Sequence, residues 1–124
     1  MADSSFSYTS IFRGKTLMAV IPHEDDEINV AGSTIHGAIL EGVHVICVFS
    51  TWGDDLYTPD IRRREAVKAL KTLGVKEDDV IFLGYPDGGR YGESDPYIYG
   101  LNEPITVRGR HETYGTKAAP DFCM

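Results

Sequence analysis

The chain of 124 residues carries 12 basic and 19 acidic side chains, a formal charge of −7. Apolar residues make up 42% and charged residues 25%, which fits one folded domain with a modest core and excludes a disordered chain. The negative balance disfavours nucleic acid and anionic membranes as partners, and no apolar run approaches the ~20 residues of a membrane span.

Cys47 and Cys123 make neither a metal-ligand nor a redox spacing. Cys47 sits in an apolar run and reads as a buried free thiol. Without a disulfide pattern, a reducing, cytoplasmic setting is expected. The N-terminus lacks the basic-then-apolar order of a signal peptide.

Residues 1–14 are polar and aromatic and read as a lead-in or short edge element. Lys15 to Ile21 is a continuous apolar run, which predicts a strand buried on both faces. It ends in His23-Glu24-Asp25-Asp26-Glu27. A helix is predicted from Glu27 to Glu41, with Ile28, Ala31, Ile35, Ala38 and Ile39 at helical spacing and Gly42 closing it. Val43 to Phe49 is a second apolar strand, ending in Ser50-Thr51-Trp52-Gly53-Asp54-Asp55. Thr58-Pro59-Asp60 opens a second helix: a hydroxyl cap, proline at the first position, an acid in the first turn. Ile61, Ala66, Val67, Leu70 and Leu73 mark its buried side, and Gly74 closes it. Val80 to Leu83 is the third strand. Residues 84–124 show no useful period, which is long for a connection inside a compact domain.

The alternation predicts an α/β fold: a Rossmann-like parallel sheet of three strands with flanking helices. Residues 1–124 are expected to form the N-terminal portion of one larger domain, truncated after strand three, with a core at 15–88 and a loop-rich tail at 89–124.

The chemistry gathers at the first strand-to-helix turn, where open α/β sheets bind ligands. Four consecutive acids repel one another unless a cation offsets them. His23 and Asp26, three apart at a turn, can converge on one ion, and an imidazole with a carboxylate suits zinc. Asp25, pointing elsewhere, can take a proton from a zinc-bound water. The plainer alternative is an exposed acidic turn that caps the helix.

These residues resemble a known family. His23-x-Asp25-Asp26-Glu27 after an apolar strand is similar to the His-Pro-Asp-Asp-Glu signature of the PIG-L/LmbE-like de-N-acetylases. Thr51-Trp52-Gly53 resembles the family's Thr-x-Gly turn. Arg62 to Glu65 with Leu73-Gly74-Val75 resembles its Arg-x-x-Glu helix, and Leu83 to Gly88 its third strand end. The resemblance implies zinc held by His23 and Asp26, Asp25 as general base, and removal of an acetyl group from an N-acetylated amino sugar such as an N-acetylglucosamine conjugate. It further implies a substrate contact from Glu93; Arg62, at the helix start, can reach a substrate hydroxyl, and Trp52 reads as a floor for a sugar pocket or an aromatic packed on the site rim. Arg62 can instead steady the acidic turn or pair with Glu65. Asp87 reads as a turn residue, and Asp54 and Asp55 as solvated loop acids.

Two departures stand out. Glu24 replaces the family's proline, at a position that is not a ligand. The family's third zinc ligand comes from a downstream His-Pro-Asp-His-like segment that the chain lacks. His44 opens the second strand at the wrong edge, and His36 lies ~13 Å along the first helix. His111 is the topologically free substitute, with a polar loop histidine as its plainer reading. The missing ligand keeps open a non-catalytic fragment or binding module. A receiver-type signalling domain fits less well: strand three ends Leu83-Gly84-Tyr85, and Lys117 lies in no strand-like run. A dinucleotide site fails because acids, not glycines, follow the first strand. The sequence leaves assembly into oligomers open.

Overall fold

The computed structural model describes residues 6–51, 53 and 59–85. In chain order they form α1 (Tyr8–Phe12), β1 (Thr16–Ile21), α2 (Asp26–Asn29), α3 (Gly32–Leu40), β2 (His44–Thr51), α4 (Pro59–Leu73), a 3₁₀ turn (Glu77–Asp79) and β3 (Val80–Tyr85). The strands make one parallel sheet in the order β1-β2-β3. Thr16 pairs with His44 and Ile21 with Phe49; Phe49 in turn pairs with Phe82. This is the expected Rossmann-like α/β arrangement. The parallel register brings the carboxyl ends of β1 and β2 side by side.

One apolar cluster holds the layers together. Ile35 and Ala38 of α3 and Ala66 and Leu70 of α4 are buried with Ile21, Val45, Cys47, Phe49 and Phe82 of the sheet. Each large side chain buried this way contributes roughly 1.5–3 kcal/mol. Phe49 and Phe82 stack with ring centroids 4.8 Å apart, and the Arg63 guanidinium lies 5.0 Å above the Phe82 ring. Cys47 is the expected buried free thiol. Burial pushes it up to about 11, with the charges of Glu27 and Asp79 adding to the effect.

Three expectations change. The first helix is broken: α2 ends at Asn29 and α3 starts at Gly32. Glycine costs a helix interior about 1 kcal/mol and serine competes for backbone hydrogen bonds, so Gly32-Ser33 favours a restart over continuation. The break turns Ile28 off the buried stripe, leaving it 45% exposed while Ile35 is fully buried. Ile61 is likewise exposed. The buried stripe of α4 runs through Ala66, Leu70 and Leu73, and four residues before Ala66 stands Arg62, not Ile61. Finally, β1 is not buried on both faces: Met18 and Val20 are 57% and 68% exposed. α3 and α4 share one cluster with the face carrying Ile21 and Val45, so the run of apolar residues conceals a one-sided strand.

The lead-in contains a short helix. The Ser7 hydroxyl caps α1 by accepting the Ser10 amide. Glu41, just past α3, ties α1 down by accepting the Thr9 amide at 2.9 Å and the Ser7 hydroxyl at 2.7 Å. These bonds, the Thr9 amide foremost, lower the Glu41 carboxyl from 4.5 to about 2. Gly42 and Gly74 close α3 and α4 at positive φ, as expected.

Candidate metal centre at the first strand-to-helix turn

The two strand tips are tied at one atom. The Pro22 carbonyl accepts the Thr51 amide at 2.9 Å, the Thr51 hydroxyl at 2.9 Å and the Ser50 hydroxyl at 3.0 Å. The turn after β1 is therefore anchored to the end of β2, and Ser50 and Thr51 belong to the support of the site.

From this anchor the chain makes a sharp turn. Asp25 has φ 110° and ψ −33° and is the non-glycine residue with positive φ among the described residues. That combination lies outside the regions comfortable for an L-residue and costs on the order of 1–3 kcal/mol. Two groups hold it. The Asp25 amide donates to the Glu27 carboxylate at 2.7 Å, and Arg62 Nη2 donates to Asp25 Oδ2 at 3.3 Å.

The turn brings three donors together. His23 Nδ1 lies 3.5 Å from Asp25 Oδ1 and 3.5 Å from Asp26 Oδ2. His23 Nδ1 is shielded from solvent and makes no hydrogen bond among the described residues. Two ligands on one zinc, each at ~2.0–2.2 Å and subtending a tetrahedral angle, stand ~3.4 Å apart. The spacing, the donor types and the shielded nitrogen all fit a small divalent cation. Asp25 does not point elsewhere, as expected from sequence; it faces the same imidazole nitrogen as Asp26. Exposure separates the two side chains, at 60% for Asp25 and 28% for Asp26.

Charge balance favours the same conclusion. Glu24 and Glu27 are each 3% exposed, so the turn carries two buried acids beside Asp25 and Asp26. Burying a carboxylate requires a partner. Arg62 supplies one positive charge, with Nε 3.8 Å from Glu24 Oε2 and Nη2 3.3 Å from Asp25 Oδ2. Arg62 thus answers Glu24 and one oxygen of Asp25, while the other Asp25 oxygen and Asp26 face His23.

Arg62 turns to the acidic turn and not along the helix to Glu65. Its Nη1 donates to the Gly53 carbonyl at 2.9 Å and its Nη2 to the Glu24 carbonyl. Gly53 is required here, because a Cβ would run into Glu24 Oε2 and Arg62 Nη1. The structure thus brings together His23, Asp25, Asp26 and Arg62. It buries Glu24 and Glu27 of the four-acid run beside them, seats Thr51 and Gly53 of the Thr-x-Gly turn against the site, and adds Ser50, which the sequence did not single out. One signal was available for Arg62: a charged residue on the core-facing stripe of an amphipathic helix needs a buried partner.

His44 and His36 are engaged away from the site, as expected. His44 Nε2 lies 2.9 Å from Asp79 Oδ1, and its Nδ1 lies 3.3 Å from the Thr16 hydroxyl. His36 Nδ1 lies 3.2 Å from the Leu73 carbonyl and donates to it. Trp52, Asp54, Asp55, Asp87, Glu93 and His111 lie outside the described residues.

A family model described as PIG-L, GlcNAc-PI de-N-acetylase, matches residues 18–113. The chain belongs to the PIG-L family. No curated protein and no solved structure matched it. The PIG-L match begins at Met18 within β1 and takes in the whole acidic turn, β2, α4 and β3. It places the chain in a family of de-N-acetylase hydrolases. Among the described residues, no helix is long and apolar enough to cross a membrane.

Proposed function

We propose that the chain is a zinc-dependent hydrolase that removes an acetyl group from an N-acetylated amino sugar or a related conjugate. The observation that carries this reading is the shielded His23 Nδ1, 3.5 Å from an oxygen of both Asp25 and Asp26 and without a hydrogen-bond partner among the described residues. Membership of the PIG-L family supports the same reaction class.

His23 and Asp26 hold the ion in this reading. Zinc, when bound, supplies a Lewis acid for the acyl oxygen and brings the pKa of a water towards ~7. Asp25 is the base: its Oδ1 takes the proton of the attacking water, and the same oxygen returns it to the departing amine nitrogen as the amide C–N bond breaks. The products are acetate and a free amino sugar. The exposure of Asp25 suits a group that must meet substrate, and the bonds to Glu27 and Arg62 fix its direction. Trp52 and Glu93 are proposed as sugar contacts; the third protein ligand is not identified in this chain, and His111 is a weak candidate for it. The substrate is a small molecule, and the cytoplasm is the proposed setting.

Elemental analysis of the purified protein and of His23→Ala tests the metal assignment, alongside acetate release from N-acetylglucosamine conjugates. Near-stoichiometric zinc in the wild type and little in His23→Ala is the expected result. Equal metal in both removes the assignment. Zinc bound without acetate release from any N-acetyl amino sugar favours a binding module.

A further inference from the structure

The match to the PIG-L family leaves one substitution unaccounted for: Glu24, where the resembling signature has proline. Proline would fix the backbone of the turn through its ring. Glu24 does not, yet the next residue, Asp25, adopts φ 110°. Something else has to hold that conformation.

The surroundings of Glu24 name the device. Its side chain is buried at 3% exposure, with a carboxylate oxygen 3.8 Å from Arg62 Nε. Arg62 Nη2 bonds the Glu24 carbonyl, the peptide oxygen that precedes Asp25, and also reaches Asp25 Oδ2. Arg62 Nη1 bonds the Gly53 carbonyl, just past the end of β2. One guanidinium thus grips the side chain of residue 24, the peptide between residues 24 and 25, the side chain of residue 25 and the neighbouring strand tip. A planar fork with five fixed donors can do this; an ammonium cannot.

We infer that Glu24 and Arg62 form a positioning pair, which holds Asp25 and the two metal-ligating side chains in register and withholds Arg62 from substrate. The inference rests on the proposed metal site for its function, though not for its geometry. Arg62 is a positioning residue and not a catalytic one. Of the two roles open to Arg62 in the sequence, contact with a substrate hydroxyl and support of the acidic turn, its donors are engaged in the second. Glu24 serves two ends. It directs the guanidinium towards the turn, and it offsets a positive charge that would otherwise repel a cation at His23 and Asp26.

The sign of one measurement separates positioning from simple electrostatics. A guanidinium this near a cation site opposes the cation by Coulomb repulsion. If charge were its whole effect, Arg62→Met would bind a divalent ion more tightly, and Arg62→Lys would match the wild type. Positioning requires the reverse: weaker binding in Arg62→Met, and little rescue in Arg62→Lys.

The test is titration of apo protein with Co²⁺, read by calorimetry and by the visible absorption of the bound ion, for wild type, Glu24→Gln, Arg62→Met, Arg62→Lys and the double variant Glu24→Gln/Arg62→Met. Amide NMR spectra of the same apo proteins report the turn with no metal present. The expected result is about a tenfold loss of affinity, or ~1.4 kcal/mol, in Arg62→Met and Arg62→Lys, with an altered absorption band. The double variant should be no weaker than Arg62→Met alone, because the two residues act as a unit. The Asp25 and Glu27 amide signals should move in all four variants. Unchanged or tighter Co²⁺ binding, with unmoved Asp25 and Glu27 amides, overturns the pair. Failure of the metal reading looks different: the wild type and His23→Ala then bind Co²⁺ equally, while the amide shifts of the Arg62 variants still decide the pair.

Discussion

The two crossovers of the sheet solve the same topological problem with different backbones. The second, α4, is an unbroken helix of 15 residues with an acid in its first turn and a lysine in its last. The first begins with a strained aspartate, makes four residues of helix, breaks and restarts at Gly32. Regularity and chemistry are divided between them. α4 supplies Ala66 and Leu70 to the core and sends one side chain, Arg62, back to the irregular turn. The first crossover gives up helical continuity and gains a backbone conformation that points His23, Asp25 and Asp26 into one space. Local rules are followed along α4 and broken at the turn that carries the candidate metal site.

Substitutions on the two crossovers should therefore separate function from stability. The largest effect is expected from Asp25→Asn. It keeps the shape and tolerates positive φ, but removes the proposed base, so acetate release should fall about 10²–10⁴-fold with zinc content and melting temperature little changed. A parallel loss of zinc would show that Asp25 is a ligand rather than the base. Leu70→Ala on α4 is the converse. Leu70 is fully buried, and its truncation should cost about 2–5 kcal/mol, read from the urea midpoint, while zinc per folded molecule stays constant.

Glu27→Ala should touch both properties. It removes the acceptor of the Asp25 amide, for a loss of about 1–3 kcal/mol; Glu27→Gln, which still offers an oxygen, should lose less. If Glu27→Ala lowers stability but leaves the Asp25 amide signal in place, the turn is held by other means. The smallest effect lies at the far end of the first crossover. The Glu41 carboxyl is lowered from 4.5 to about 2, so its hold on α1 is fully present above pH 4.5 and is lost as pH falls towards 2. The Thr9 amide shift should follow that titration, with a midpoint near 2, and Glu41→Gln should abolish it.

Much of this division was visible in the residues. The element order, the closing glycines, the buried thiol and the position of the acidic turn all follow from periodicity and punctuation. The interruption at residues 30–31 was harder to see, because Ile28 and Ile35 fit one helical stripe and only the weak helix preference of Gly32-Ser33 argued against it. The open face of β1 was concealed for a different reason. A continuous apolar run shows that a strand can be covered on both sides, not that it is. The sequence left Arg62 a choice between substrate, Glu65 and the acidic turn; its direction, like the burial of Glu24, is settled by a contact 38 residues apart in the chain.

The Pro22 carbonyl, shared by three donors from the end of β2, has a consequence for how occupancy and folding are linked. The residue before His23 is held by the docked tip of the neighbouring strand. An ion held there by the assembled turn would stabilise the native state over the open chain. Thermal midpoints should then climb with the logarithm of free metal, and a chelator should lower them without touching a single covalent bond.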